Sequence, residues 1–374
     1  MLSKKILSFD NLIAEVVDQN LCNRCEGCVS FCSANGISAL KIGKDGYPEY
    51  LDKDKCMEGG ICYLICPKTI ELEEEISEKY NWKYPLGQWQ DIFSARSTDS
   101  VIREAATDGG IVTSLLLYML ENNVIDGAIV SRRTENCGRI PMIAKNRAEL
   151  LEATGSFWSE ATHLDELGNV YSSCFPVIKV IKESAEKDMK RLALVGTPCQ
   201  IKAIRKMQAM NIVPSHLIVF TIGLFCMQCF TLDDLVKQEF AKKHNLKIED
   251  VGKVNIKDKL ILHMKSGLKI HIPLEEVEQI AHDACLACSD FANDYADISA
   301  GGLGSEDGYT SIIVRNSIGK QIYSEALYKG YVENSGVSII TKKDRDYKLI
   351  DIIRDFAIKK RIRYEQHQHI VTDK

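Results

Sequence analysis

No stretch of this sequence approaches the roughly 18 uninterrupted apolar residues of a membrane-spanning helix, so no span is expected. Residues 1–10 lack an apolar core and a small-residue cleavage site. No export signal is read there, and a cytoplasmic location, at most peripheral to a membrane complex, is expected. An excess of one charge is also missing: 47 Lys and Arg stand against 52 Asp and Glu, a formal charge of −5. That gives nucleic acid no basic footprint. There is no G-x-G-x-x-G fingerprint after a strand, and the eight histidines form no H-E-x-x-H pair. Neither a Rossmann NAD site nor that kind of zinc centre is expected. Low-complexity runs are absent, as are repeats beyond the cysteine motifs below.

Cysteine is what the chain has in excess, with 14 among 374 residues. A chain this long, 45% hydrophobic, can build a core without disulfides, and a reducing cytosol opposes them. Grouped cysteines in such a protein point to metal or redox chemistry.

Length predicts two or three domains. Residues 1–20 read as a short amphipathic lead-in, residues 21–70 are dense in cysteine, and residues 71–90, charged and aromatic, read as a linker. From about 91 the pattern becomes α/β. Helices are expected at 111–120, 201–210 and 232–243, and short buried strands at 126–130, 192–195, 217–225, 298–300 and 311–314. The tail, 331–374, reads as a charged extension, helical in part, with Lys359-Lys360-Arg361 on a solvated face.

Cys22, Cys25, Cys28 and Cys32 follow C-x2-C-x2-C-x3-C, the run that wraps an iron–sulfur cubane in bacterial ferredoxins. The fourth cysteine of such a run ligates the other cluster of a two-cluster domain, so a second run is expected. Cys56, Cys62 and Cys66-Pro67 supply it, with Gly59 where the second cysteine would fall. One cluster is therefore expected on Cys22, Cys25, Cys28 and Cys66. The other is expected on Cys32, Cys56 and Cys62, as 3Fe-4S or as 4Fe-4S with a non-cysteine ligand. A zinc ribbon is the bland alternative, but structural zinc prefers paired C-x2-C.

A second constellation is scattered. Cys199 sits in Gly196-Thr197-Pro198-Cys199-Gln200 between a strand and a helix, Cys226 closes the run Ile222-Gly223-Leu224-Phe225, and Cys285 and Cys288 form a C-x2-C pair. A third 4Fe-4S cluster on these four is one reading. Buried packing cysteines at the first two positions are the other. Cys229 is a substitute ligand in the first reading, and Cys137 and Cys174 read as packing residues.

The ordered motifs from about 95 to 315 resemble the beta subunits of the coenzyme F420 hydrogenase/dehydrogenase family. They are Asp108-Gly109-Gly110-Ile111-Val112-Thr113, Ile125-Asp126-Gly127-Ala128, Gly196-Thr197-Pro198-Cys199-Gln200-Ile201, Gly223-Leu224-Phe225-Cys226, Cys285-Leu286-Ala287-Cys288, Ala296-Asp297-Ile298-Ser299 and the glycine-rich turn at 301–309. The family includes F420-reducing hydrogenase, F420-dependent formate dehydrogenase and F420 dehydrogenase subunits. The front half of F420-dependent sulfite reductase is similar too. The resemblance implies an α/β (α+β) flavin domain at 91–330 behind a small two-cluster ferredoxin-like domain at 1–70. It implies a bound FAD, coenzyme F420 as substrate, and a cluster on Cys199, Cys226, Cys285 and Cys288. It also implies single-electron exchange with a catalytic subunit of a larger complex.

On that resemblance, FAD performs the hydride transfer and no side chain is assigned a catalytic step. Asp108, Gly109 and Gly110 before a helix would face its pyrophosphate, and Gly301, Gly302 and Gly304 would allow close approach of its ring. Thr113, Ser156, Gly196, Thr197, Pro198, Gln200 and Tyr309 complete the expected contacts. The chain departs from relatives at Phe157, where a lysine is common, so Arg96, Lys202 and Arg205 are candidates for its role. No nickel-binding cysteine pairs are present. Two other readings stand beside this one: a ferredoxin-dependent flavin reductase of another substrate, and a cluster-only electron-transfer adaptor.

Overall fold

The structure is a computed structural model and describes residues 7–133, 139–155, 188–229, 234–278, 281–336 and 342–372. Cys137, Ser156, Phe157 and Cys174 lie outside the described residues.

Thirteen strands are described in chain order: β1 (Leu40–Ile42), β2 (Pro48–Tyr50), β3 (Asp91–Ser97), β4 (Gly127–Arg133), β5 (Arg139–Ala144), β6 (Leu192–Gly196), β7 (Ile218–Leu224), β8 (Val251–Ile256), β9 (Lys259–Met264), β10 (Lys269–Pro273), β11 (Ile298–Gly301), β12 (Thr310–Val314) and β13 (Val332–Asn334). Eight of them make one mixed sheet in the order β13-β3-β12-β11-β7-β6-β4-β5. Its centre, β4-β6-β7-β11, is parallel, and the remaining neighbours pair antiparallel. Central parallel strands are buried on both faces, which explains why β6 and β7 read as apolar runs without alternation.

One face of this sheet is covered by the helices Ile111–Glu121 and Ser317–Tyr328. Their Leu115, Tyr118, Met119, Ile322 and Tyr323 share a core with Ala128, Phe220 and Ile312 of the sheet. The other face packs on the helix Pro198–Ala209 through Ile201, Ile204 and Met207. A separate three-stranded antiparallel sheet, β10-β9-β8, has its own small core of Val254, Leu260, Leu262 and Ile272. Its alternation at Leu260, Leu262, Ile270 and Ile272 is legible by period two, although no strand is expected there from the longer pattern.

The cysteine-dense front comprises the helix Gly27–Ala34, the β1–β2 hairpin and the short helix Ile61–Leu64. It does not stand apart. Phe31 and Ile65 belong to the same core as Ile129 of the large sheet and Ile201 and Ile204 of the helix packed on it. Residues 71–90, expected as a linker, carry the helix Glu73–Lys79, whose Ile76 is fully buried in that shared core. The single apolar residue on an acidic helix is its anchor.

The tail is helical, but its Lys-Lys-Arg run differs from the expected solvated face. β13 pairs with β3, and the helix Lys342–Thr372 packs Leu349, Ile350, Ile353 and Ala357 on the core that contains Phe291 and Leu303. Lys360 is buried, and Arg361 bonds to the buried Asp294. The Lys-Lys-Arg run therefore alternates outward and inward around the helix instead of lying on one wet face. No helix among the described residues is long and apolar enough to cross a membrane.

Candidate functional site

The front thiols group across the two runs. Cys22, Cys25, Cys28 and Cys66 wall a small enclosed cavity of about 20 Å³ together with Ile65 and Pro67. Cys62 instead lies within electrostatic reach of Cys56 and Cys32. Gly27–Ala34 makes this possible, because Cys28 and Cys32 lie one helical turn apart and point at neighbouring groups. Burial pushes the Cys22 thiol up to about 12 and the Cys25 and Cys28 thiols well above their usual value. Such thiols ionise only against a compensating cation. Two side chains beside them carry donors with no protein partner: Asn23 Nδ2, and Nε and Nη1 of Arg24, on residues that also line the cavity. Soft sulfur donors around a small cavity, on a loop that also carries unpaired N–H groups, fit an iron–sulfur cluster whose sulfurs accept hydrogen bonds. Gly59 is exposed, with open space where its side chain would be, so the second group has three thiols.

The scattered cysteines converge as well. Cys199 lies in the first turn of Pro198–Ala209, whose cap is a reciprocal box in which Thr197 N donates to Gln200 Oε1 at 2.9 Å. The positive end of that helix favours a thiolate at this place. Cys226 follows β7, and its N–H donates to Phe291 O. Cys229 and Cys285 are buried in contact with Cys199 and Cys226. The Cys229 thiol and its backbone N–H, the latter at 3.3 Å, both donate to Cys285 Sγ and hold its pKa down. Cys288 lies apart from that contact group, its Sγ 3.8 Å from Asp290 O. All twelve described cysteines are free thiols. Among the described residues no trio of His, Cys, Asp or Glu is arranged to hold a single metal ion.

The two thiol regions are stitched together. Cys25 and Cys199 are within electrostatic reach of each other. Lys68, two residues after Cys66, donates to Ala284 O and Ala287 O on either side of Cys285. The buried Lys206 donates to Cys66 O and Thr69 O, both at 2.7 Å.

Beside the scattered thiols opens a cavity of about 380 Å³, within the size range of small-molecule sites. Asp108, Gly110, Thr113, Gly196, Thr197, Gln200, Gly301 and Gly302 line it. The helix Ile111–Glu121 begins at this wall without a side-chain cap, so the N–H groups of Ile111, Val112 and Thr113 turn toward the cavity. A helix start of this kind has the geometry to receive a diphosphate. Thr154 Oγ1 donates to Leu150 O, which leaves Thr113 donating to Thr154 at 3.0 Å. Asn255 Nδ2 donates to Asp108 Oδ1 at 2.8 Å, while burial raises the Asp108 pKa. Gly302 packs directly on Asp108, and a side chain there would displace that carboxyl.

Four expected contacts are placed elsewhere. Gly109 is behind the wall, its N–H on Thr310 Oγ1 at 2.9 Å. Pro198 starts its helix outside the lining, Gly304 abuts Leu349 of the tail helix, and Tyr309 stacks under the Arg96 guanidinium at 4.9 Å. The three candidate replacement cations also miss the cavity. Arg96 pairs with Glu333, Lys202 with Glu73, and Arg205 with Asp297. The motifs alone do not single out Thr154, Phe225, Gln228, Asn255 and Thr310 as lining residues, because they come from separate elements. Cys229, which also lines the cavity, has a sequence signal: it follows Cys226 by three residues.

Two family models match the chain, both describing the beta subunit of coenzyme F420 hydrogenase/dehydrogenase. The N-terminal model matches residues 92–169, and the C-terminal model matches residues 189–338. The chain is 31% identical over 325 residues to a coenzyme F420-dependent sulfite reductase of Methanocaldococcus jannaschii, across 82% of this chain but only 46% of that protein. It thus spans about half that relative's length. It is 31% identical to the coenzyme F420 hydrogenase subunit beta of Methanosarcina barkeri, over 77% of this chain and 93% of the relative. A chain in the structure of the F420-reducing NiFe hydrogenase complex from Methanosarcina barkeri superposes with a TM-score of 0.65 at 29% identity, covering 78% of this chain and 94% of that one.

Proposed function

The chain belongs to the coenzyme F420 hydrogenase/dehydrogenase beta-subunit family, and from that premise we propose that it is the coenzyme F420-handling subunit of a larger redox complex. In this reading it holds FAD in the large cavity and iron–sulfur clusters on its thiols, and it exchanges electrons with a separate catalytic subunit. When bound, FAD would exchange a hydride with the coenzyme, and the clusters would carry single electrons.

The observation that carries this reading is continuity. Cys229 lines the cavity and bonds to Cys285, Cys199 lies within electrostatic reach of Cys25, and Cys28 senses Cys62. Cavity and thiol groups form one chain of neighbours, as a wire requires. The residues have distinct tasks. The first turn of Ile111–Glu121 would bind the diphosphate, and Asp108, fixed by Asn255, would meet a hydrogen-bonding edge. Gly301 and Gly302 keep the floor thin enough for a flat ring. Cys22, Cys25, Cys28 and Cys66 would hold one cluster, and Cys32, Cys56 and Cys62 a second, as 3Fe-4S or as 4Fe-4S with a non-cysteine ligand. Cys199, Cys226, Cys285 and Cys288 would hold the third. Asn23 and Arg24 would donate to the sulfurs of the first and raise its potential.

The test is an anaerobic preparation mixed with reduced coenzyme F420. A flavin band that bleaches, followed by loss of the broad cluster absorbance, is expected. A flavin band indifferent to the coenzyme would assign another substrate. Zinc without acid-labile sulfide would sink the reading altogether.

A further inference from the structure

The helix Lys342–Thr372 lies beyond the family-matched residues, which end at 338. Its inward face runs Leu349, Ile353, Ala357 and then Lys360 at helical spacing. A lysine at a core position is unusual, and Lys360 is only 2% exposed. Its ammonium donates to Cys226 O at 2.5 Å and Asp290 O at 2.7 Å. One turn further, Arg363 donates to Met227 O at 2.9 Å, Cys285 O at 3.1 Å and Gln228 Oε1 at 2.7 Å, the last a cavity-lining side chain. Two cations of one helix therefore clasp the loops that carry Cys226, Cys285 and Cys288.

Two carbonyls solvate an ammonium but do not neutralise it. Among the described residues no carboxylate lies within ion-pair distance of Lys360; Asp290, whose carbonyl it binds, and the thiols of Cys226, Cys285 and Cys288 are the negative groups within its electrostatic reach. A buried cation without a counter-ion is strongly disfavoured, so the surroundings must supply negative charge. A thiolate-held cluster would be that charge, because such a centre with four thiolates is a net anion. Arg363 Nε is likewise buried with no protein acceptor.

We propose that Lys360 is a positioning cation for the cluster on Cys199, Cys226, Cys285 and Cys288, making the tail helix part of the redox centre and raising that centre's reduction potential. Arg363 fixes the same loops around it. This rests on the cluster assignment of the proposed function. An adjacent fixed positive charge favours the more negative, reduced state, so its removal makes reduction harder.

The experiment uses the full chain, purified and reconstituted without oxygen, with an EPR-monitored redox titration and iron counting. The relevant signal is the one that Cys285→Ser abolishes. Lys360→Met should keep wild-type iron and move that midpoint to lower potential by at least a tenfold change in the reduction equilibrium, about 59 mV for one electron. Lys360→Arg should recover at least half of the shift. Lys360→Gln is the second neutral variant, and a wild-type midpoint in whichever neutral variant folds overturns the proposal. Should neither fold, a Lys360→Arg protein with the wild-type midpoint supports the need for charge, and one that also fails overturns it. If wild type has no signal sensitive to Cys285→Ser, the cluster reading itself has failed. A signal present but indifferent to charge at 360 removes only the role of Lys360.

Discussion

Residues 22–66 and residues 199–288 both gather cysteines, by opposite routes. In the front region the chain stays local. A helix and two tight loops bring Cys22, Cys25 and Cys28 to Cys66, and the spacing alone fixes who meets whom. In the larger region nothing local brings Cys199 to Cys285. Strands β6 and β7 end side by side, Cys199 and Cys226 follow from those ends, and the loop before β11 returns Cys285 to them. The front has a modest core of its own, with Phe9, Leu12, Val16 and Tyr63 around the thiols, while the larger region rests on an eight-stranded sheet. A locally coded site can be read from spacing, whereas a site coded by topology needs the sheet to be built first. The two are nevertheless one body, through the shared core at Ile76 and the lysine stitches.

The largest effect should come from breaking one region and leaving the other. Cys285→Ser should remove about four irons per chain and the associated sulfide while the front signals persist. Iron and sulfide analysis with EPR reads this directly. Loss of all iron would mean that the local region does not hold its clusters independently, and the contrast would collapse.

Next is the shared core. Ile76 is fully buried beside Phe31, Ile65 and Ile201. Ile76→Ala should cost about 2–5 kcal/mol, the usual range for a large-to-small change in a packed core. Denaturant melts followed by cluster absorbance and by far-UV signal should still coincide in one transition. Two separated transitions would show that the front folds alone and only docks.

How much of this is legible in the sequence follows the same divide. The first thiol run, its exchange of partners with the second, the helix at 111–120 and the strands at 192–195 and 217–225 are all readable, because each is written in a short window. The small sheet β8–β10 escapes the longer pattern although Leu260 and Leu262 alternate with polar neighbours. Lys360 looks wet in a Lys-Lys-Arg run as long as the inward stripe of Leu349, Ile353 and Ala357 is not followed through to it. Asn255 reaches the cavity from a strand with no motif at all, so only tertiary structure could place it there.

A pH experiment sharpens the junction between the regions. His282 is buried and accepts from Ala284 N through Nδ1 at 3.1 Å, which requires the neutral ring at that atom. Burial, helped by Arg24 from the front and Lys68, pushes its pKa down to about 4. The unfolded value is near 6.5, so the stabilisation is whole above that pH and is lost as pH falls through 4. It amounts to about 3 kcal/mol at most by linkage. Stability measured from pH 7 to 4 should fall accordingly in wild type. In His282→Asn, which keeps an acceptor for the same N–H, this part of the slope should vanish. An unchanged slope would place the acid-sensitive groups elsewhere.

The smallest effect concerns one stitch. Lys206 is fully buried, and its ammonium spans from the sheet-packing helix to the carbonyls of Cys66 and Thr69, with Glu73 at 3.4 Å. Burial is the main reason its pKa falls to about 8, so holding the charge there already costs part of what the bonds contribute. Lys206→Met keeps the stem's apolar packing, removes that desolvation cost and leaves two front-region carbonyls short of a donor. The balance should be a loss of about 1–3 kcal/mol, smaller than for Ile76→Ala, since unpaired carbonyls recover some solvation as the loop relaxes. Front iron content should stay at the wild-type level, because the lysine bonds to the backbone of Cys66 and not to its sulfur. The transfer of electrons between the regions should slow, as Cys66 is no longer held against the helix that carries Cys199. A variant as stable and as fast as wild type would mean that Lys68 and the shared apolar core align the two regions without it.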